Sequence, residues 1–257
     1  MSFFSHCWFL TLRMLRHLLR QPWYIAFTLV QPIIWLVLYG QLFKRVVELP
    51  GFQTNSYISF LTPGVIIMSA LFGAGWSGMG VILDLERGVM DRFLIAPVSR
   101  PAIILGRLVY LAIVTIVQSL ILFIMGFMLG ARYTGGVLGL SVLVVAAISL
   151  SLPFGALSIA MALMVRKEES VIGAVNFILL PLTFMSPVFI ASPLMPAWMI
   201  AASRFNPLNW AVQAGRLALA GNPDWMLIAL RLLSLWAFLL FALFLATRAF
   251  RSYQQSA

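Results

Sequence analysis

The chain has 257 residues, of which 62% are hydrophobic and only 9% are charged, and its mean hydropathy is +1.02. A soluble globular domain has about 45–50% apolar and about 25% charged residues, so we exclude a soluble fold and expect lipid to be the solvent of this chain. The net charge is +10, but the basic residues lie between apolar runs and form no stripe with stacking aromatics, which favours contacts with membrane lipids and argues against nucleic-acid binding.

The N-terminal segment carries Cys7, the single cysteine, which can form no intrachain disulfide and completes no metal set. Residues 1–23 lack the early basic region, unbroken apolar stretch and cleavage site of a signal peptide. Arg13, Arg16 and Arg20 recur at helical spacing, with apolar residues on another face. This pattern predicts an interfacial amphipathic helix, which either only anchors the first span or also contacts a partner.

Six apolar runs are long enough to cross about 30 Å of hydrocarbon, which takes about 20 helical residues. We therefore predict an all-α polytopic membrane protein that forms a single transmembrane domain over residues 1–257. The predicted spans cover about residues 24–43, 58–83, 102–130, 137–165, 171–190 and 226–247.

Arginine and lysine are distributed unevenly between the two faces that six spans create. Ten lie on the face that holds both termini and five on the other, when Arg107 and Arg231 at span ends are set aside. Since cytoplasmic loops carry the excess of basic residues, we expect a cytoplasmic (inner) membrane protein with both termini in the cytoplasm.

Residues 191–225 connect the fifth and sixth spans and hold several prolines and tryptophans, including Pro196, Trp198 and Pro207. Their apolar pieces are too short to cross a bilayer. Because tryptophan is favoured at the membrane–water interface, we predict short helices at the outer interface, either lying there or dipping partly into the bilayer under a protein cover.

The predicted spans are poor in the groups that membrane enzymes and ion-coupled carriers use. Their central parts hold no Asp, Glu, Lys or His. Ion-coupled carriers usually keep a carboxylate or histidine inside the membrane, haem anchors need histidine ligands there, and metal enzymes need a ligand cluster. Neither lysine belongs to a GxxxxGK[ST] phosphate loop. We therefore expect no enzyme, no metal site and no cofactor in this chain.

Small residues repeat every four positions in the second span. Ser69, Gly73 and Ser77 form one row, and a second row ends at Gly78. Such rows let helices approach closely in lipid. The pattern leaves open plain helix packing, a subunit interface or a wall of a transport pathway.

The connection between the second and third spans, residues 84–97, is rich in charge. Asp84, Arg87 and Asp91 are spaced to share one face of a helix that Pro97 ends. Arg87 and Asp91 stand at i,i+4, a pair worth about 0.3–0.5 kcal/mol. We predict a short amphipathic helix on the cytoplasmic side, which either fixes topology or acts as a lever on the span at each end.

Two stretches of the sequence resemble the permease subunits of type-2 ABC exporters, the group of daunorubicin-resistance and nodulation lipo-oligosaccharide permeases. Together with six spans, the resemblance covers nearly the whole chain. Leu85 departs from it, at a position where the family often has arginine. In the first stretch the matching residues are Pro63, Gly64, Glu86, Arg87, Gly88, Pro97, Ser99, Arg100 and Gly106. In the second they are Asn176, Pro181, Phe184, Ser186, Met195, Pro196, Asn206, Pro207 and Arg216.

The resemblance implies that two such permeases join two separate P-loop ATPase subunits, which bind ATP and magnesium. ATP binding would then shift the permeases between inward-facing and outward-facing arrangements. The charged segment would be a coupling helix, the N-terminal helix a connecting helix and residues 191–225 an outer gate. The residues implied for ATPase coupling are Asp84, Glu86, Arg87, Gly88, Asp91, Arg92 and Pro97, and those for the outer gate are Pro196, Trp198, Asn206 and Pro207.

The resulting hypothesis is the permease subunit of an ABC exporter for an amphipathic drug or lipid-like cargo, acting as a homodimer or with a related permease. The alternatives are a polysaccharide or lipo-oligosaccharide exporter of the same group, an ion-coupled secondary carrier and a non-transporting assembly subunit. Uptake driven by an ion gradient without ATP would favour the carrier. Displacement of another protein without loss of export on deletion would favour the assembly subunit.

Overall fold

The computed structural model describes residues 3–20, 22–48, 56–89 and 100–255, and the regular structure in these ranges is helical. A π-helical turn, Trp35–Tyr39, continues the second helix, and 3₁₀ turns cover Lys44–Glu48, Trp76–Gly78 and Ser192–Leu194. The α-helices are α1 (Phe3–Leu19), α2 (Pro22–Ile34), α3 (Gly40–Leu42), α4 (Tyr57–Gly75), α5 (Met79–Glu86), α6 (Arg100–Met128), α7 (Gly136–Val165), α8 (Glu168–Phe184), α9 (Ala197–Ser203), α10 (Pro207–Leu219) and α11 (Trp225–Gln255).

The all-α membrane fold is confirmed, since 4 helical runs in the described part of the chain are long and apolar enough to cross a bilayer. They correspond to the predicted second, third, fourth and sixth spans. The helices at the predicted first and fifth spans are shorter: the apolar run Ala26–Leu42 and α8 have 17 residues or fewer. The six-span arrangement therefore stays a prediction. The long runs are Tyr57–Glu86, Ala102–Met128, Gly136–Val165 and Trp225–Phe250.

Helix α7 lies at the centre of the bundle, where it packs against α4, α6, α10 and α11. Its buried residues include many small ones, such as Ala146, Ala147 and Ala156, which let the neighbouring helices approach closely. The other central helix is α4, in which every residue from Phe60 to Leu71 is buried. Helices α2 and α8 pack against α4 from the periphery.

Two predicted helices differ from those in the structure. The fifth predicted span ends at residue 190, but α8 ends at Phe184, and Pro187 follows in a stretch without regular structure. The prediction of one uninterrupted helix over residues 84–97 is wrong, because α5 ends at Glu86 and Gly88 has a φ of 64°. Glycine adopts this left-handed conformation at little cost, so it ends the helix and turns the chain. Residues 90–97 lie outside the described residues.

Candidate functional site

Asp84 joins three helices at one end of the bundle. It lies in the last turn of α5, and its Oδ1 accepts a hydrogen bond of 2.9 Å from Arg13 on α1. Its Oδ2 accepts one of 2.5 Å from Arg107 on α6, and Arg107 also donates to the Gly80 carbonyl at 3.3 Å. We call this cluster of Asp84, Arg13 and Arg107 the Asp84 junction.

The two ion pairs of the Asp84 junction differ in their access to water. The exposed fraction of the side chain is 11% for Arg107, 17% for Asp84 and 47% for Arg13. A charge pair that water reaches less is screened less, so the Arg107 pair is the stronger of the two. The Asp84 carboxylate therefore has one strong ion pair, with Arg107, and one weak ion pair, with Arg13.

Helix α1 also approaches the backbone of α6 closely beside this junction. The Thr11 hydroxyl donates to the Gly106 carbonyl at 3.0 Å. A Cβ at Gly106 would lie 3.1 Å from Leu10 Cβ and 3.2 Å from the Cys7 carbonyl oxygen. Glycine at position 106 thus permits the contact between the two helices.

The residues predicted for ATPase coupling fall into two groups. Glu86 and Arg87 are exposed at the end of α5, two and three positions after Asp84, and Gly88 makes the turn described above. Asp91, Arg92 and Pro97 lie outside the described residues. Of the arginines predicted for the interfacial helix, Arg13 belongs to the Asp84 junction, whereas Arg16 and Arg20 are exposed on α1 and its C-terminal turn.

A second polar cluster lies at the other end of the second span, around Arg216 on α10. Its Nε donates to the Phe60 carbonyl at 3.2 Å, and its guanidinium carbon lies 3.6 Å from the centre of the Phe60 ring. Its terminal nitrogens donate to the carbonyls of Pro187 at 2.7 Å and Val188 at 2.9 Å. Desolvation lowers the pKa of Arg216 to about 9, so the group is protonated at neutral pH.

The proline-glycine pair in the second span belongs to this cluster. A Cβ at Gly64 would lie 3.0 Å from the Val188 carbonyl oxygen and 3.2 Å from an Arg216 nitrogen. A side chain at position 64 would therefore push Arg216 and Val188 away from α4. The two stretches that resemble the exporter permeases thus meet at one place in the structure.

Two of the four residues predicted for an outer gate, Asn206 and Pro207, lie at the start of α10, the helix that carries Arg216. Asn206 caps α10, because its Oδ1 accepts from the Leu208 amide at 3.0 Å, and Pro207 begins that helix. Pro196 precedes α9 and is exposed, and Trp198 on α9 has an exposed fraction of 63%. Asn206 and Pro207 therefore build the start of α10, whereas Trp198 presents its ring to the surroundings.

The small residues of the second span have different environments. Ser77 donates to the Gly155 carbonyl of α7 at 3.2 Å, and the Gly78 amide donates to the Ser158 hydroxyl at 3.0 Å. Ser69 is buried and bonds within its own helix, whereas Gly73 is exposed and would meet only the end of the Gln118 side chain. Close packing with α7 thus involves Ser77 and Gly78, but not Gly73.

Sequence reasoning left Arg107 and Arg216 out of the candidate site residues. Both carried a signal, because an arginine inside or beside an apolar run needs a polar partner. For Arg107 that partner is Asp84, 23 positions earlier in the chain, and for Arg216 the partners are backbone carbonyls. Carbonyl partners leave no trace in the sequence.

Comparison with known proteins connects these clusters to a family. The model of the family described as ABC-2 type transporter matches residues 5–220. The chain is 31% identical over 197 residues to the daunorubicin resistance ABC transporter permease protein DrrB1 of Streptomyces coeruleorubidus, an alignment that covers 75% of this chain and 67% of that protein. It is 27% identical over 211 residues to the inner membrane transport permease YadH of Escherichia coli (strain K12), covering 77% of each. Both polar clusters lie inside the range that the family model matches.

Proposed function

Because the chain belongs to the ABC-2 type transporter family and is a membrane transport permease subunit, we propose that it is the membrane-spanning part of an ABC exporter. A separate P-loop ATPase subunit binds ATP and magnesium and hydrolyses the ATP. Residues from Asp84 to Pro97 receive the force that ATP binding produces.

The observation that carries this proposal is the position of the Asp84 junction. The exposed Glu86 and Arg87 stand two and three positions after Asp84, and the Asp84 carboxylate is bonded to α1 and α6. A displacement of the exposed turn is therefore passed to three helices at once. A loop without such contacts would bend and transmit little of the force.

We propose an amphipathic drug or lipid-like cargo. Support comes from the name of the Streptomyces relative, a daunorubicin resistance permease, and from the large apolar residues on the outer faces of the spans, along which an apolar tail can move. Polysaccharide export is the alternative within the family, and a cargo assay with both classes distinguishes them.

We also propose a dimer, either of two copies or with a related permease. Helix α8 buries Val171, Val175 and Leu179 against the rest of the chain, whereas Phe177 and Ile178 have exposed fractions of 81% and 47%. Lipid or a second permease covers this apolar face. The dimer would lie in the cytoplasmic membrane with both termini in the cytoplasm and with Arg16 and Arg20 against lipid headgroups.

The test replaces the exposed charges that follow the junction. We expect a double Glu86→Ala, Arg87→Ala variant to insert normally but to lose most ATP-driven export, because the permease no longer follows the ATPase. The matched control is Lys167→Ala, Glu168→Ala, which removes one base and one acid from exposed positions at the start of α8. Export into inside-out vesicles, in the presence of the ATPase, is the measurement.

Normal export by the Glu86, Arg87 variant would contradict the coupling role of this turn. Transport by the purified chain with an ion gradient and no ATP would contradict the exporter and favour a secondary carrier. Co-purification of a P-loop ATPase with this chain, and a gene for such an ATPase next to its own, are the expected supporting observations.

A further inference from the structure

The backbone after α8 is buried without forming a helix. Pro187 and Val188 are buried in a stretch that has no regular structure. Backbone carbonyls in such a place need hydrogen-bond donors from elsewhere, because no water replaces the missing helical bonds inside a membrane protein. The source of these donors shows what holds the stretch in place.

Side chains from two other helices supply the donors. Asn206 Nδ2 donates to the carbonyls of Leu182 at 2.7 Å and Met185 at 3.3 Å. Tyr57 donates its hydroxyl to the Phe189 carbonyl at 3.0 Å. Together with the Arg216 bonds to the Pro187 and Val188 carbonyls, these contacts form a set that we call the carbonyl clasp, made by Tyr57, Asn206 and Arg216.

Arg216 is the charged member of the clasp, and it bonds to carbonyls rather than to a carboxylate. In the described part of the chain, both ion pairs between an arginine and a carboxylate involve Asp84. Arg216 instead offsets its loss of hydration with carbonyl bonds and the Phe60 ring. When the segment moves away, water returns to the guanidinium, so no buried counter-charge is left behind to oppose the opening. Such a contact stabilises the closed segment, and breaking it costs little free energy because the guanidinium regains its hydration.

The segment held by the clasp also places an aromatic ring over the first span. The Phe189 ring centre lies 5.0 Å from that of Trp35 and 5.3 Å from that of Tyr39, both in the π-helical turn. Release of the clasp would withdraw this ring from the first span. The segment is therefore bonded to α4 and α10 and packs against the first span.

We propose that Arg216 is a positioning residue that holds residues 185–189 closed, and that this segment moves aside when cargo leaves. The cargo release rests on the proposed export function. The clasp and the Asp84 junction lie at opposite ends of the run from Tyr57 to Glu86. Phe60 and Asp84 are 24 positions apart, roughly 36 Å along a helix, so the segment held by the clasp is remote from the turn that we propose receives the force.

The experiment measures access to the segment. In a Cys7→Ser background, Val188→Cys places a thiol at a position with 0% exposure, and a membrane-impermeant maleimide is applied to intact cells. We expect Arg216→Met to label about tenfold faster or more than the parent, because it provides no donor for the two carbonyls. Arg216→Lys keeps the charge but not the planar fork of donors, so it should label at an intermediate rate.

A second cysteine position distinguishes local opening of the clasp from a general loss of packing in the protein. Ile82→Cys has 2% exposure and lies near the other end of the same run. It should stay slow in every variant, in lysed cells as well as intact ones. Faster labelling at both positions, or at neither, would overturn the proposal. If Arg216→Met does not accumulate, Arg216→Lys and Tyr57→Phe give the same test, with a few-fold acceleration expected for Tyr57→Phe.

The labelling needs neither ATP nor a partner. It therefore tests the clasp independently of the proposed export function. With the ATPase bound, Arg216→Met should also raise ATP hydrolysis without cargo, because the segment no longer resists opening. Fast labelling at Val188→Cys without any ATPase coupling would support the clasp and contradict the export function. Slow labelling with normal export would contradict the clasp alone.

Discussion

The Asp84 carboxylate is shared by two arginines, and their burial decides what each contact contributes. Arg107 comes from the start of a span and also serves the Gly80 carbonyl, whereas Arg13 reaches in from α1 with about half of its side chain exposed. Exposed pairs contribute about 0.2–1 kcal/mol, and removing one partner of a buried pair costs several times more. Arg107 is therefore the structural contact, and Arg13 is the one that can exchange during motion.

Replacing each arginine by glutamine separates these two roles. We expect Arg107→Gln to lower the free energy of unfolding by about 1–3 kcal/mol, because a poorly hydrated carboxylate loses its main donor. Arg13→Gln should cost no more than about 1 kcal/mol. Thermal unfolding of the purified protein in detergent is the measurement. Equal losses would show that the two contacts do not differ in the way their exposure indicates.

At the scale of elements, the second span is interrupted where it meets α7. The turn Trp76–Gly78 is 3₁₀, and Ser158 of α7 donates to the Gly75 carbonyl and accepts from the Gly78 amide. The Ser158 hydroxyl thus satisfies the carbonyl and the amide that the interruption leaves without helical hydrogen bonds. The interruption lets α4 and α5 change their relative direction without leaving a backbone group unpaired.

Two glycines of the second span provide a matched test of this contact. A Cβ at Gly78 would lie 2.5 Å from the Ser158 carbonyl oxygen, whereas a Cβ at Gly73 would have only Gln118 Oε1 within reach, at 3.9 Å. We expect Gly78→Ala to lower the melting temperature by several degrees and Gly73→Ala to leave it within about one degree, since surface changes cost little. A large loss for Gly73→Ala would contradict this packing. Loss of export without loss of stability would place Gly73 on the pathway or the subunit interface.

The sequence predicted the elements better than their ends, for a physical reason. Long apolar runs are set by the thickness of the bilayer, so α6, α7 and α11 begin within a few residues of prediction. The end of α8 at Phe184 depends on Asn206, more than 20 positions later, and on Arg216. Such distant donors cannot be read from local hydropathy.

The candidate site residues were also predicted only in part: the sequence indicated individual residues, whereas their contacts came from the structure. Charge and helical spacing singled out Asp84 and Arg13, and the family resemblance singled out the Pro63-Gly64 pair and Arg216. Neither indicated which residues would be in contact. The structure adds Arg107 to the first cluster and brings Gly64 against Arg216 in the second. A periodic pattern assigns a residue to a face of a helix, whereas contacts between residues far apart in the chain depend on how the helices cross.

At the scale of the whole molecule, the number of crossings depends on α8. Its 17 residues reach only about 26 Å. Residues 185–190 have no helix and can add up to about 3.3 Å each, so the helix and its tail together can cross the bilayer. The acidic first turn, Glu168 and Glu169, would then lie at one face and α9 at the other. This arrangement requires the carbonyl clasp, because the tail could not otherwise lie inside the bundle.

Labelling of single cysteines from each side tests this crossing. In a Cys7→Ser background, Lys167→Cys and Arg204→Cys place thiols at exposed positions before and after α8. We expect a membrane-impermeant maleimide to label Arg204→Cys in intact cells and Lys167→Cys only after lysis, since the basic bias places the α7–α8 connection in the cytoplasm. Labelling of both thiols in intact cells, or of neither, would mean that α8 returns to the face where it began. The chain would then have an odd number of crossings and its two termini would lie on opposite faces, which a reporter fused after Gln255 would detect independently.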